Sequence, residues 1–270
     1  MSIPIQNITT GEFSMDFFRF GEGEKTFVIL PGISVKSVMG SADAVAKQYE
    51  VMNKEFTSYV FDRRKELPET YSVRDMARDT AAAMSALGLR DVYLFGASQG
   101  GMMAMVIAAE FPELVHALVL GSTSAEVTDE QFGELEKWLD MARRKDGEAL
   151  YLAFGRALYP EKVYEQFKEF FAMTGRSVTD AEFERFVKMA EGTKGFDASG
   201  DLEKIGCPVL VLGASDDEVL GADASLAIAE KLKDRADCEC YMYEGYGHAA
   251  FDTAPDYRDR ILAFFAGIPD

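Results

Sequence analysis

Asp91-Val-Tyr-Leu-Phe-Gly-Ala-Ser-Gln-Gly-Gly101 decides how the rest of the chain is read. Val92 to Phe95 form a short, continuous apolar run rich in β-branched and aromatic residues, which suits a parallel strand buried on both faces. Gly96 and Gly100 stand two positions either side of Ser98, so a chain reversing sharply from strand to helix meets no Cβ where backbone crowds it. Beyond the turn, Met102, Met103, Met105, Val106, Ile107, Ala108 and Ala109 continue as an almost wholly apolar helix that Pro112 stops. A serine at the first turn of such a helix lies beside N–H groups without intrahelical partners, a place suited to holding a developing oxyanion. Ser98 is the candidate nucleophile. Glycine and serine are also ordinary turn residues, and Ser98 gains chemical meaning only from this context and from partners further along.

Upstream, residues 13–20 read as an early antiparallel strand that ends in a Gly-Glu-Gly-Glu turn. Thr26 to Leu30 form the next strand, closed by Pro31-Gly32-Ile33-Ser34, and residues 38–52 have the mixed apolar spacing of a surface helix. Phe56 to Phe61 predict another strand, ending at Asp62-Arg63-Arg64. Ser72-x-x-Asp75 then caps a helix that runs to Gly88. Downstream, Ala117 to Leu120 supply a strand, and the alternation of strand and helix implies a parallel sheet with right-handed crossovers.

The alternation stops near residue 125. From there to about residue 200 the pattern is helical throughout: Thr128-x-x-Gln131 caps one helix, Gly147 to Leu158 and Pro160 to Met173 form two more, and Thr179-x-x-Glu182 caps a fourth. The core pattern resumes with a strand over 208–212, a helix over 222–234, a strand over 238–243 and a helix over 255–266. The expected organisation is a core of residues 1–124 and 201–270 carrying a helical lid inserted at 125–200. Trp138, Tyr151, Phe154, Tyr159 and Phe171 are among many lid aromatics, most of which must bury the lid helices while some line a pocket.

Composition excludes several classes. Forty-six acidic against 28 basic residues give a formal charge of −18, which would repel nucleic acid and anionic lipid. No apolar run approaches the roughly 20 residues of a membrane span, and the first residues show no signal-peptide pattern, so a cytoplasmic location is expected. Three cysteines and two histidines, none at ligand spacing, suggest neither a disulfide framework nor a metal site. A small-molecule substrate without a cofactor is expected; the oligomeric state is open.

A serine hydroxyl needs a base. His116 precedes the strand at 117–120, on the edge away from the strand ends where such groups gather, and is read as structural. His248 lies just beyond the strand at 238–243, in the loop Glu-Gly-Tyr-Gly-His, and is the candidate base. The carboxylate that orients it would come from Gly213-Ala-Ser-Asp-Asp217, as Asp216 or Asp217. Ser122 and Thr123 offer no acid at the neighbouring strand end.

Taken together, the strand, Gly-x-Ser-x-Gly turn and helix, followed by the acid loop and the histidine loop, resemble the α/β-hydrolase superfamily and within it the lidded serine esterases. The resemblance covers nearly the whole chain. It implies an α/β-hydrolase fold: a mostly parallel central sheet flanked by helices, with an inserted helical lid. It implies the order Ser98, Asp, His248, and places the acid three residues after the strand-ending glycine, which selects Asp216 over Asp217. It also implies an oxyanion hole made by the backbone N–H of Gln99 and that of Ile33, with Ser34 as the alternative; Pro31-Gly32 stands where many relatives have His-Gly. The activity implied is that of a carboxylesterase. Carbon–carbon, thioester or amide hydrolysis by the same triad, and a ligand-binding receptor without turnover, are the alternatives, because fold alone does not choose among them.

Overall fold

The computed structural model describes residues 2–269. Its single sheet has eight strands: β1 (Ile5–Thr9), β2 (Ser14–Phe20), β3 (Lys25–Leu30), β4 (Phe56–Arg64), β5 (Val92–Ala97), β6 (Val115–Gly121), β7 (Val209–Ala214) and β8 (Cys238–Tyr243). They lie in the order β1-β2-β4-β3-β5-β6-β7-β8. The two pairings that involve β2 are antiparallel, and every pairing from β4 across to β8 is parallel. Helices α1 (Ala42–Gln48), α2 (Val73–Ala86), α3 (Gln99–Glu110), α8 (Ala222–Leu232), α9 (Ala250–Thr253) and α10 (Tyr257–Ala266) accompany the sheet, whereas α4 (Asp129–Arg143), α5 (Gly147–Leu158), α6 (Glu161–Arg176) and α7 (Asp180–Glu191) all fall between β6 and β7.

The continuous apolar runs of the central strands become two cores through the two-residue period of a strand. Val28, Leu30, Val92, Leu94, Leu118, Leu120, Val209 and Val211 face one way, into the cluster that holds α2 and α3. Their neighbours Phe27, Ile29, Tyr93, Phe95, Val119, Leu210 and Leu212 face the other way, toward α10. All six residues of β5 and all six of β7 are buried. Each large aliphatic side chain so buried contributes roughly 1.5–3 kcal/mol of transfer free energy, which holds the strand ends in fixed register.

The expected fold class is the one observed, with local differences. The stretch 38–52 is not one helix: α1 spans only Ala42–Gln48, between the short 3₁₀ turns Val38–Ser41 and Glu50–Met52. The last helix begins at Tyr257, after the separate turn of α9. Strand β1, exposed or half-buried at every position, carries no strong apolar signal and was absent from the sequence expectation. The boxes at Ser72, Thr128 and Thr179 cap α2, α4 and α7 with both reciprocal hydrogen bonds present.

Helices α4–α7 leave and rejoin the core through one neck. Glu126 bridges Asp197 in antiparallel fashion, and the N–H groups of Val127 and Ala198 donate to the Phe196 and Ala125 carbonyls at 2.8 and 2.7 Å. Among the described residues no helix is long and apolar enough to cross a membrane.

Candidate active site

The turn from β5 into α3 is as tight as its sequence demands. A Cβ on Gly96 would meet the Gly100 carbonyl oxygen at 2.3 Å, and one on Gly100 would meet the Leu30 and Pro31 oxygens at 2.1 and 2.6 Å. Between them Ser98 is held at φ 52° and ψ −124°, a conformation that costs a non-glycine residue on the order of 1–3 kcal/mol. The bonds that hold it run to the neighbouring strand end. Ser98 N donates to the Gly121 carbonyl at 2.8 Å, and the Thr123 hydroxyl donates to the Ser98 carbonyl at 2.7 Å. Ser98 therefore projects its hydroxyl beyond the C-terminal end of the sheet.

His248 reaches it from the loop after β8. Its Nε2 lies 3.0 Å from Ser98 Oγ, and its Nδ1 lies 2.8 Å from Asp217 Oδ2. Both His248 and Asp217 are buried. Burial works to raise the Asp217 carboxyl, but the His248 ring and the N–H groups of Leu220 and Val219 outweigh it, so its pKa is lowered. With Asp217 ionised, Nδ1 carries the ring proton, and the Nε2 lone pair faces the serine hydroxyl.

The carboxylate beside His248 is thus Asp217, and the expectation that Asp216 would stand there is corrected. Strand β7 does not end at Gly213. Ala214 still pairs with Tyr243, and Ser215 N donates to the Tyr243 carbonyl at 2.8 Å, so the acid loop starts one residue later than the glycine suggests. Asp217 Oδ1 accepts from Val219 and Leu220 N–H at 2.8 and 3.0 Å, and this local turn aims the other oxygen at the ring. Asp216 instead accepts from the N–H groups of Gly245 and Gly247 at 3.2 and 3.0 Å, bracing the histidine loop from beneath.

Ile33, Ser34 and Gln99 line the same cavity as Ser98 and His248, and their backbone N–H groups have no acceptor among the described residues. Gly32 makes the approach possible, since a Cβ there would sit 3.2 Å from that of Ser98. His116 lies elsewhere, with Nδ1 3.0 Å from Asp91 and its ring against Tyr93.

Sequence reasoning did not find Arg63. This buried guanidinium belongs to the penultimate residue of β4 and donates from Nη2 both to the Pro31 carbonyl at 3.0 Å and to Gln99 Oε1 at 2.8 Å. Gln99 Nε2 in turn donates to the Met189 carbonyl and the Thr193 hydroxyl at 2.9 and 2.8 Å. The Pro31 loop, the turn after Ser98 and the end of α7 are thereby joined through two side chains, Arg63 and Gln99. Burial brings the Arg63 pKa down to about 10, with Asp62 opposing, so it stays charged at neutral pH. An arginine directly following an aspartate at the end of an apolar strand was the available signal.

The cavity above Ser98 has a volume of about 480 Å³. Its walls are mostly apolar, with Leu135, Trp138, Tyr151, Phe154 and Phe170 contributed by the inserted helices. The insertion also touches the histidine loop directly, because Ala249 N donates to the carbonyl of Leu158, the last residue of α5, at 2.9 Å. Among the described residues no three His, Cys, Asp or Glu side chains are grouped as a metal ion would need.

Comparisons with known proteins bear on the family and the fold. Residues 61–255 match a family described as alpha/beta hydrolase fold. The chain is 31% identical over 152 residues to the serine hydrolase BPHL of Mus musculus, an alignment that covers 51% of this chain and 50% of that protein. It thus spans about half the length of that relative. It is 26% identical over 245 residues to a putative carbamate hydrolase RutD of Agrobacterium fabrum (strain C58 / ATCC 33970), covering 87% and 92% of the two chains. Among solved structures, MGS-M2, an alpha/beta hydrolase enzyme from a Medee basin deep-sea metagenome library, superposes with a TM-score of 0.85 at 19% identity over 98% of each chain. The enol-lactonase from Burkholderia xenovorans LB400 does so with a TM-score of 0.82 at 17% identity over 97% of this chain and 100% of its own.

Proposed function

The chain belongs to the α/β-hydrolase family, and from that premise we propose that it is a serine hydrolase whose Ser98, His248 and Asp217 cleave a small or medium, largely apolar ester. The observation that carries this is the unbroken line of contacts from Ser98 Oγ through His248 to Asp217, at 3.0 and 2.8 Å, opening on a mostly apolar cavity.

His248 Nε2 takes the Ser98 proton as Oγ attacks the carbonyl carbon. The oxyanion so formed is held by the Gln99 N–H and that of Ile33 or Ser34, oriented before the reaction and so free of reorganisation cost. Collapse expels the alcohol, which leaves with the proton from His248. Water, activated by the same nitrogen, then releases the acid from the acyl enzyme. Asp217 remains a carboxylate throughout and stabilises the imidazolium. In this reading helices α4–α7 act as a lid that shapes the acyl pocket and limits access of water. The same steps at a carbamate carbonyl form the second reading, favoured by the RutD similarity along most of the chain.

Hydrolysis of p-nitrophenyl esters of increasing acyl length tests the proposal. Ser98→Ala and His248→Ala should each lower kcat by roughly 10⁴- to 10⁶-fold while the fold, followed by circular dichroism, is retained. Near-normal turnover in either variant refutes the assignment.

A further inference from the structure

Two unlike groups of residues line the cavity that holds Ser98. One comes from α4 and α5 and includes Leu135, Trp138 and Phe154. The other comes from α1, the residue after α5, and α9, as Val45, Gln48, Tyr159, Phe251 and Asp252. Among the described residues Asp252 is the one carboxylate in the lining, four residues beyond His248.

Its surroundings are those of a binding group rather than of packing. Asp252 is exposed, yet desolvation by surrounding protein is the main influence on its carboxyl and raises its pKa, against the opposing effects of Tyr159, Gln48, Arg258 and His248. An exposed side chain so enclosed presents its surface to the cavity. The Tyr159 hydroxyl donates to Oδ2 at 2.9 Å and fixes the carboxylate. Gln48 Nε2 and Arg258 Nη2 donate to the Asp252 backbone carbonyl, at 3.2 and 3.1 Å. Among the described residues no Lys, Arg or His forms an ion pair with the carboxylate. A carboxylate desolvated in a largely apolar cavity without a direct ion-pair partner is costly, and a cation brought by a ligand offsets that cost.

We propose that Asp252 and Tyr159 form a subsite for a protonated amine on the substrate, so that the enzyme prefers esters bearing an ammonium group remote from the scissile carbonyl to their neutral isosteres. The ammonium donates to Asp252 and to the Tyr159 oxygen, whose own proton is already given to Oδ2. The strongly acidic chain, at −18, favours the same sign of ligand on approach.

This inference rests on the serine-hydrolase reading and is tested with pairs in which carbon replaces nitrogen. One pair, p-nitrophenyl ε-aminocaproate and p-nitrophenyl heptanoate, puts the charge on the acyl side. The other, dimethylaminoethyl butyrate and isoamyl butyrate, puts it on the alcohol side. The charged member should be favoured in kcat/KM by roughly ten- to hundredfold in at least one pair, the range of a hydrogen bond to a charged group. That ratio should fall to near unity in Asp252→Asn, which keeps an acceptor for Tyr159, and be partly restored in Asp252→Glu. A wild-type ratio of one in both pairs, or a preference that survives Asp252→Asn, overturns the proposal. If the wild type cleaves none of these esters, it is the hydrolase reading that fails. Calorimetric titration of the wild type and Asp252→Asn with methyl ε-aminocaproate and methyl heptanoate then decides the amine subsite separately: tighter, Asp252-dependent binding of the amine upholds it, and equal binding overturns it.

Discussion

The sheet and the inserted helices solve different problems with the same apolar residues. Strands β5 and β7 are buried at all six positions each, and the groups at their ends are held by backbone turns and short hydrogen bonds. Helix α6 buries only Tyr164, Ala172 and Gly175, and leaves Phe170 and Met173 57% and 61% exposed. A surface that has to stay in register for chemistry is built from the sheet, and a surface that has to meet varied ligands is built from helices whose aromatic rings are only partly packed.

The sharpest way to break this contrast is at the acid loop. Asp217→Asn should lower kcat by roughly 10⁴-fold, because an amide does not hold the required ring tautomer or balance the imidazolium. Asp216→Asn, acting only through the Gly245 and Gly247 N–H groups, should lower it by no more than about tenfold. Steady-state kinetics on the two variants reads this directly, and the reverse order would show that the strand-end turn does not aim the carboxylate as described.

A middle effect is expected at Arg63, where sheet and insertion meet. Arg63→Met leaves the Pro31 carbonyl and Gln99 Oε1 without their shared donor, and kcat should fall by roughly ten- to hundredfold with a smaller change in KM. Thermal unfolding of the same variant should show a loss on the order of 1–3 kcal/mol from the unpaired acceptors. A loss of stability with unchanged kcat would confine Arg63 to the fold.

The smallest effect belongs to the helical surface. Phe170→Ser, at an exposed position that also lines the cavity, should shift stability by less than about 0.5 kcal/mol and raise KM for long acyl chains severalfold more than for acetate. An equal change for all chain lengths would place Phe170 outside the acyl pocket.

The chemical ends of the strands were the most legible part of the chain. Tight glycines, an apolar strand and an apolar helix leave few other conformations for residues 91–111, and the structure bears out that local architecture. The exchange of Asp216 for Asp217 has a simple cause: one more residue of pairing between β7 and β8 depends on the partner strand and is invisible along the chain. Arg63 was illegible for a related reason. A charged residue at a strand end reads as solvated, and only the approach of the Pro31 loop and of Gln99, 36 residues away in sequence, makes it a buried bridge. Asp252 could not be weighed at all without the cavity, since its significance lies in what surrounds it rather than in its neighbours along the chain.

The hydrogen bond from Ala249 to Leu158 gives the inserted helices a third anchor besides the two segments of their neck. A panel fastened at one edge can swing; one fastened at both edges cannot. If α5 were to lift away as a rigid flap, it would pull on the residue next to His248 and on the Tyr159 tether to Asp252. Rotation of individual rings such as Phe170 leaves both of these ties, and with them the position of His248, undisturbed.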